Sequence, residues 1–204
     1  GIRDRLVTGV QTCALPISAR ISRVRCGNCL SPMHVKICGI TNYEDAMATC
    51  EAGADLLGFN FAEEAKKRNR YIEPDDAFGI IGRLPDDVLS VAVCVNERLE
   101  QMQAYLEHVD YVQLHGEESV ETTNALGDKA IKVFRLSDRV ELSDVEAFSE
   151  CFAYLVDAYA PDERGGTGKT CDWDKAASIA ASDKSLFLAG GLTPENVEIG
   201  RAHV

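Results

Sequence analysis

Seven short runs rich in β-branched and other apolar residues alternate along the chain with stretches of helical, amphipathic period. The extended runs fall at residues 35–39, 56–60, 89–95, 111–114, 130–134, 153–157 and 186–189. Between them lie helical stretches near 42–53, 74–83, 97–108, 117–126, 142–149 and 173–181. Asn42 and Thr193 suit helix N-caps, and Pro74 and Pro194 suit first helical turns. Gly53, Gly82 and Gly127 suit helix ends. Strands separated by helices return to the same end of the sheet before pairing, which makes the sheet parallel with right-handed crossovers.

Such a sheet stays open or closes on itself. A Gly-x-Gly-x-x-Gly after the first run, which the dinucleotide-binding open sheet needs, is missing. Residues able to do chemistry follow most of the runs, as in a barrel whose site is assembled from many βα loops. The expected fold is therefore α/β: a (β/α)8 TIM barrel, incomplete, with about seven β/α units.

With 204 residues and 46% hydrophobic content, one domain can build its core without disulfides or metals. The net charge of −12 argues against nucleic acid as a partner, because phosphate backbones call for basic patches. No apolar run is long enough to cross a membrane. Most of the eight cysteines sit in apolar runs, which fits reduced thiols in a cytoplasmic protein. Cys26 and Cys29 form a Cys-x-x-Cys pair without a second pair or a His partner, so no metal site is expected.

The two ends read differently from the middle. Residues 1–32 lack a steady period, and their first part could pass for a weak signal peptide. Residues 9–17 and 199–204 can, with suitable codons, be written as roughly 18 nucleotides of one oligonucleotide on opposite strands, which resembles a sequencing adapter. The expected organisation is a non-native or disordered leader (1–32), a barrel starting at Met33 (33–198) and a non-native tail (199–204).

Candidate site residues lie where the runs end. Cys38, in Lys36-Ile37-Cys38-Gly39-Ile40-Thr41, is either inert packing or a reactive thiol, and the neighbouring Gly39 and Thr41 favour close approach of a ligand. Asp157 closes an apolar run; it is either a cap or ion-pair carboxylate, or a buried acid that stays protonated and can donate. Gln113 and His115 end the fourth run. Arg70 stands in a basic segment of an otherwise acidic chain, an anion site or a solvated charge run, with Arg68 as an alternative. Gly190 and Gly191 end the seventh run and allow close approach to a phosphate. Gly165 to Thr170 imitate a nucleotide-binding P-loop, but Glu163 occupies the position of its first glycine.

In order, the chain carries Lys36 to Thr41, Gly58 to Phe61 leading to Arg70-Tyr71-Ile72, Val112 to Gly116, Val156-Asp157-Ala158, Gly165 to Thr170 with Asp172-Trp173, and Leu188 to Asn196. This ordered set resembles the phosphoribosylanthranilate isomerase family of tryptophan biosynthesis. The resemblance implies a cofactor-free Amadori rearrangement of a phosphorylated small molecule. It implies Cys38 as general base and Asp157 as general acid. It further implies that Arg70 holds the substrate carboxylate, that Gln113 and His115 line the ring pocket, and that Gly166 and Thr167 border the site. Gly190 and Gly191 would bind the phosphate. A monomer, a homodimer or a fusion with the neighbouring pathway enzyme all occur in such a family. Two departures stand out: Cys94 replaces a common Phe, and the Ser or Pro usual before the Arg is missing. An eighth unit, which supplies half of the phosphate site, is expected to be absent, leaving an open seam beside the first strand and weak phosphate binding. Another phosphate-binding barrel isomerase or epimerase, a nucleotide-binding module and an inactive fragment are the competing readings.

Overall fold

The computed structural model describes residues 10–13, 34–137, 140–158, 172–180 and 184–192. Eight strands close into a barrel in sequence order. They are β1 (Val10–Cys13), β2 (His34–Cys38), β3 (Leu56–Asn60), β4 (Leu89–Cys94), β5 (Tyr111–Leu114), β6 (Ala130–Leu136), β7 (Ala153–Ala158) and β8 (Ser185–Leu188). From β2 to β8 every neighbouring pair is parallel, so all seven of these strands end at the same rim. The helices between them are α1 (Tyr43–Glu51), α2 (Pro74–Ile81), α3 (Leu99–Tyr105), α4 (Val120–Leu126), α5 (Leu142–Glu146) and α6 (Trp173–Ala180).

The local signals act as the residue chemistry demands. The Asn42 side chain accepts a hydrogen bond from the Asp45 amide at 2.8 Å and starts α1. Pro74 opens α2, where its missing N–H costs nothing, and Gly82 ends it. The helices are shorter than their amphipathic stretches, α3 most of all, because terminal turns give way to connecting loops. Periodicity did not announce the 3-10 helix Glu63–Arg68, which fills the β3–α2 connection. Thr193 and Pro194 lie outside the described residues.

The seven parallel strands match the expected incomplete (β/α) barrel; only the seam, expected to be open, differs, because the first strand occupies it. Val10–Cys13 lies between β2 and β8 and pairs antiparallel with both. An edge strand presents a row of unpaired amides and carbonyls, and a four-residue extended segment satisfies both edges at once. Part of the expected leader is thus in the barrel wall.

The pleat divides the core in two. Leu56, Leu89, Val91, Ile131, Val133, Ala153, Leu155, Phe187 and Ala189 form the barrel interior. The alternate residues, among them Leu57, Phe59, Ala92, Phe134, Tyr154 and Val156, pack under the helices. Tyr111 and Phe152 stack at 4.4 Å against the interior cluster at the N-terminal end of the strands. The opposite end carries Cys38, Gln113 and Asp157.

Cys38, Cys50, Cys94 and Cys151 are free thiols. Burial pushes the Cys151 thiol up to about 11 and that of Cys94 higher still, so these two behave as apolar packing. No helix among the described residues is long and apolar enough to cross a membrane.

Candidate active site

Strand parity decides what reaches the barrel mouth. Val133 faces inward and pairs in register with Leu155, so Arg135 and its partner Asp157, two residues on, also face inward. The same count places Lys36 and Cys38 inward on β2, opposite Leu56 and Gly58. Gln113 lies opposite inward Val93 on one side and Ile131 on the other.

Asp157 is 5% exposed, and burial pushes its carboxyl above the ordinary carboxylate range. Three interactions oppose that shift: a hydrogen bond from the Ala158 amide to Oδ1 at 2.8 Å, and the charges of Arg135 and Arg70. Oδ2 faces His115 Nε2 at 3.6 Å. On its other side, the His115 ring meets Gln113, whose Nε2 lies 3.4 Å from Nδ1.

Arg70 reaches the mouth, within electrostatic reach of Cys38, Arg68 and Asp157. Its aliphatic carbons cover Gly39, where a Cβ would come within 3.2 Å of Cδ. Gly39 has φ +92, a conformation that favours glycine, and a Cβ there would require the Arg70 side chain to give by a few tenths of an ångström. Burial pushes the half-buried guanidinium down; Cys38 and Asp157 both push it back up, so one cation lies within electrostatic reach of both candidate groups.

Gly190 bends the chain at φ +89 directly behind the acid. A Cβ there would sit 2.8 Å from the Ala158 nitrogen and 3.0 Å from Asp157 Oδ1. Gly191 follows at φ +65. Gly166 and Thr167 lie outside the described residues.

The His115 loop is fixed from behind. Glu118, nearly fully buried, accepts hydrogen bonds from the amides of Asn96 and Gly116, and from Lys132 Nζ at 2.7 Å. Lys132 also donates to the Gly116 carbonyl at 3.1 Å. A Cβ on Gly116 would overlap Glu118 and Asn96.

The sequence profile of the family described as N-(5′phosphoribosyl)anthranilate (PRA) isomerase matches residues 35–200. The chain belongs to this family. The N-(5′-phosphoribosyl)anthranilate isomerase of Moorella thermoacetica is 42% identical over 167 residues, covering 81% of this chain and 73% of the relative. That of Geobacter sulfurreducens is 44% identical over 167 residues, with 81% and 80% covered. Among solved structures, phosphoribosyl anthranilate isomerase from Thermotoga maritima superposes with a TM-score of 0.73 at 37% identity, over 83% of this chain and 82% of that one. A phosphoribosyl anthranilate isomerase in complex with reduced 1-(o-carboxyphenylamino)-1-deoxyribulose 5-phosphate gives 0.69 at 35% identity, over 83% and 81%.

Among the inward polar residues that the sequence reading did not single out are Lys36 and Arg135. Both stand two residues from a residue already picked out or known to face inward, so period-two counting from Cys38 and Val133 would have found them.

Proposed function

We propose that the chain catalyses the Amadori rearrangement of N-(5′-phosphoribosyl)anthranilate to 1-(2-carboxyphenylamino)-1-deoxyribulose 5-phosphate. One observation carries the chemical part of this reading: Cys38 and Asp157 occupy inward positions at the same strand-end rim, with Arg70 in electrostatic reach of both.

The buried Asp157 carboxyl, held protonated, donates its proton to the furanose ring oxygen. The C1′–O4′ bond breaks as the amine lone pair forms the C1′=N bond of a Schiff-base cation. That cation acidifies the C2′–H bond, and the Cys38 sulfur, as thiolate, takes the proton. The resulting enolamine tautomerises to the ketose. No redox change and no external co-reactant enters this balance. Arg70 is suited to the anthranilate carboxylate through a planar pair of N–H donors. Gln113 and His115 border the ring pocket, and the amides at Gly190 and Gly191 face the phosphate.

The test is turnover by the purified chain, followed by separating the isomers, with Cys38→Ala and Asp157→Asn beside it. Conversion by the parent and loss in both variants is expected. Full activity in both variants, or none in the folded parent, overturns the reading.

A further inference from the structure

His34, Lys36 and Cys38 share the inward face of β2, and Lys36 between them is completely buried (0% exposed). Across the strand pair stand Leu56 and Gly58. A Cβ on Gly58 would fall 2.8 Å from Lys36 Nζ and 2.9 Å from Cys38 Sγ. The missing side chain of Gly58 therefore leaves one pocket in which an amine and a thiol converge. Lys36 hydrogen-bonds to the Cys38 side chain there.

A lysine sealed inside an apolar barrel is costly as a lone ammonium, and filler could be supplied by Leu or Met. Burial pushes Lys36 down toward the neutral amine, and Cys38 pushes it back up. Arg70 reaches Cys38 from the mouth, and Asp157 lies within electrostatic reach of Arg70. His34 lies toward the other end of β2, its Nδ1 3.6 Å from Asp55 Oδ1.

Building on the assignment of Cys38 as base, we infer that Lys36 is the positioning residue that draws the proton from Cys38 and holds the resulting thiolate from beneath. The step is a proton transfer: the S–H bond breaks, an N–H bond forms on Nζ, and a neutral amine–thiol pair becomes ammonium and thiolate. The thiolate then takes the C2′ proton, which restores S–H. Lys36 itself touches no substrate; its place is below the sulfur, inside the barrel. Arg70 meanwhile stays available to the substrate carboxylate.

The measurement is the iodoacetamide alkylation rate of Cys38 at neutral pH, read by mass spectrometry of the peptide carrying it, in the whole chain. Cys50, half-buried and with its thiol pushed up by burial, is the reference in the same digest. In the parent, native Cys38 should react roughly tenfold faster than the same cysteine in the urea-unfolded chain, where Lys36 is no longer beside it. Equal or slower reaction in the native state overturns the inference without any variant. Lys36→Met should slow Cys38 alkylation by roughly tenfold or more, lower kcat by roughly a hundredfold, and leave KM within a few-fold. Unchanged alkylation in folded Lys36→Met also overturns it. If that variant does not fold, Gly58→Ala pushes the nitrogen and sulfur apart with both groups retained and should slow alkylation in the same way; a parent-like rate sinks the inference. Cys38→Ala separates the two readings. Turnover retained in Cys38→Ala removes the base assignment itself. Turnover lost there, but kept in Lys36→Met with parent-like alkylation, removes only the role of Lys36.

Discussion

His115 Nε2 stands 3.6 Å from Asp157 Oδ2, while Gln113 Nε2 lies 3.4 Å from the other ring nitrogen. With the Gln113 amide donating to Nδ1, the neutral ring carries its proton on Nε2, aimed at the carboxyl. At 3.6 Å the contact is too long for a hydrogen bond in the free enzyme. It can tighten as Asp157 gives up its proton and becomes anionic. His115→Ala should therefore lower kcat by roughly ten- to a hundredfold, the worth of a hydrogen bond to a developing charge. Steady-state kinetics check this, and a change confined to KM would place His115 in substrate binding alone.

Asp157→Asn should abolish most turnover, by roughly 10²–10⁴-fold, yet stabilise the fold at neutral pH. A carboxyl raised above its unfolded value destabilises the folded state wherever the unfolded chain ionises first. The penalty grows as pH rises from the unfolded value and levels off above the folded one. The gain in Tm from Asp157→Asn should be largest near pH 8 and vanish near pH 3. A gain that is the same at both ends would show that the carboxyl is not raised.

Gly190→Ala tests the close approach behind the acid. The added methyl meets the backbone at Ala158 and the Asp157 carboxyl, at a φ of +89 that alanine avoids. A loss of about 1–3 kcal/mol is expected from the backbone alone, with activity falling as Asp157 shifts. Chemical denaturation and turnover measured together separate the two effects.

Glu118→Ala would leave the Lys132 ammonium buried with the Gly116 carbonyl and the Phe148 ring, but no carboxylate, as its partners among the described residues. Breaking such a buried pair from one side costs about 3–5 kcal/mol. The double variant Glu118→Leu with Lys132→Met should recover much of that stability but not the activity. The Asn96 and Gly116 amides would no longer be tied, and the His115 loop would lose its anchor. Denaturation midpoints and turnover of the two variants decide the point.

Thr12→Pro probes the barrel closure at β1. Thr12 pairs with Val35 on one side and Leu188 on the other. Proline donates no hydrogen bond and does not fit a central strand. A loss of about 1–3 kcal/mol is expected from the ladder partner left unpaired, read as a lower denaturation midpoint. An unchanged midpoint would show that β1 adds nothing to the wall.

Much of this architecture was open to reading from the chain alone. The strand and helix runs, the Asn42 cap and the Pro74 start depend on neighbours within a few residues, and such information survives in one dimension. The residues Cys38, Asp157, Gln113 and His115 were legible because polar groups directly after apolar runs are conspicuous. Tertiary structure decided the rest. Only the pleat and register show that Arg135 faces the same space as Asp157, or that Lys36 ends under the Cys38 sulfur. The place of Arg70 over Gly39 depended on a contact between residues far apart in the chain. The place of Val10–Cys13 between two strands from opposite ends of the sequence depended on unpaired edges that exist only once the sheet has curled. Local propensity is set by adjacent residues, whereas convergence on a site is set by contacts between residues far apart in the chain, and no short-range pattern encodes those distances.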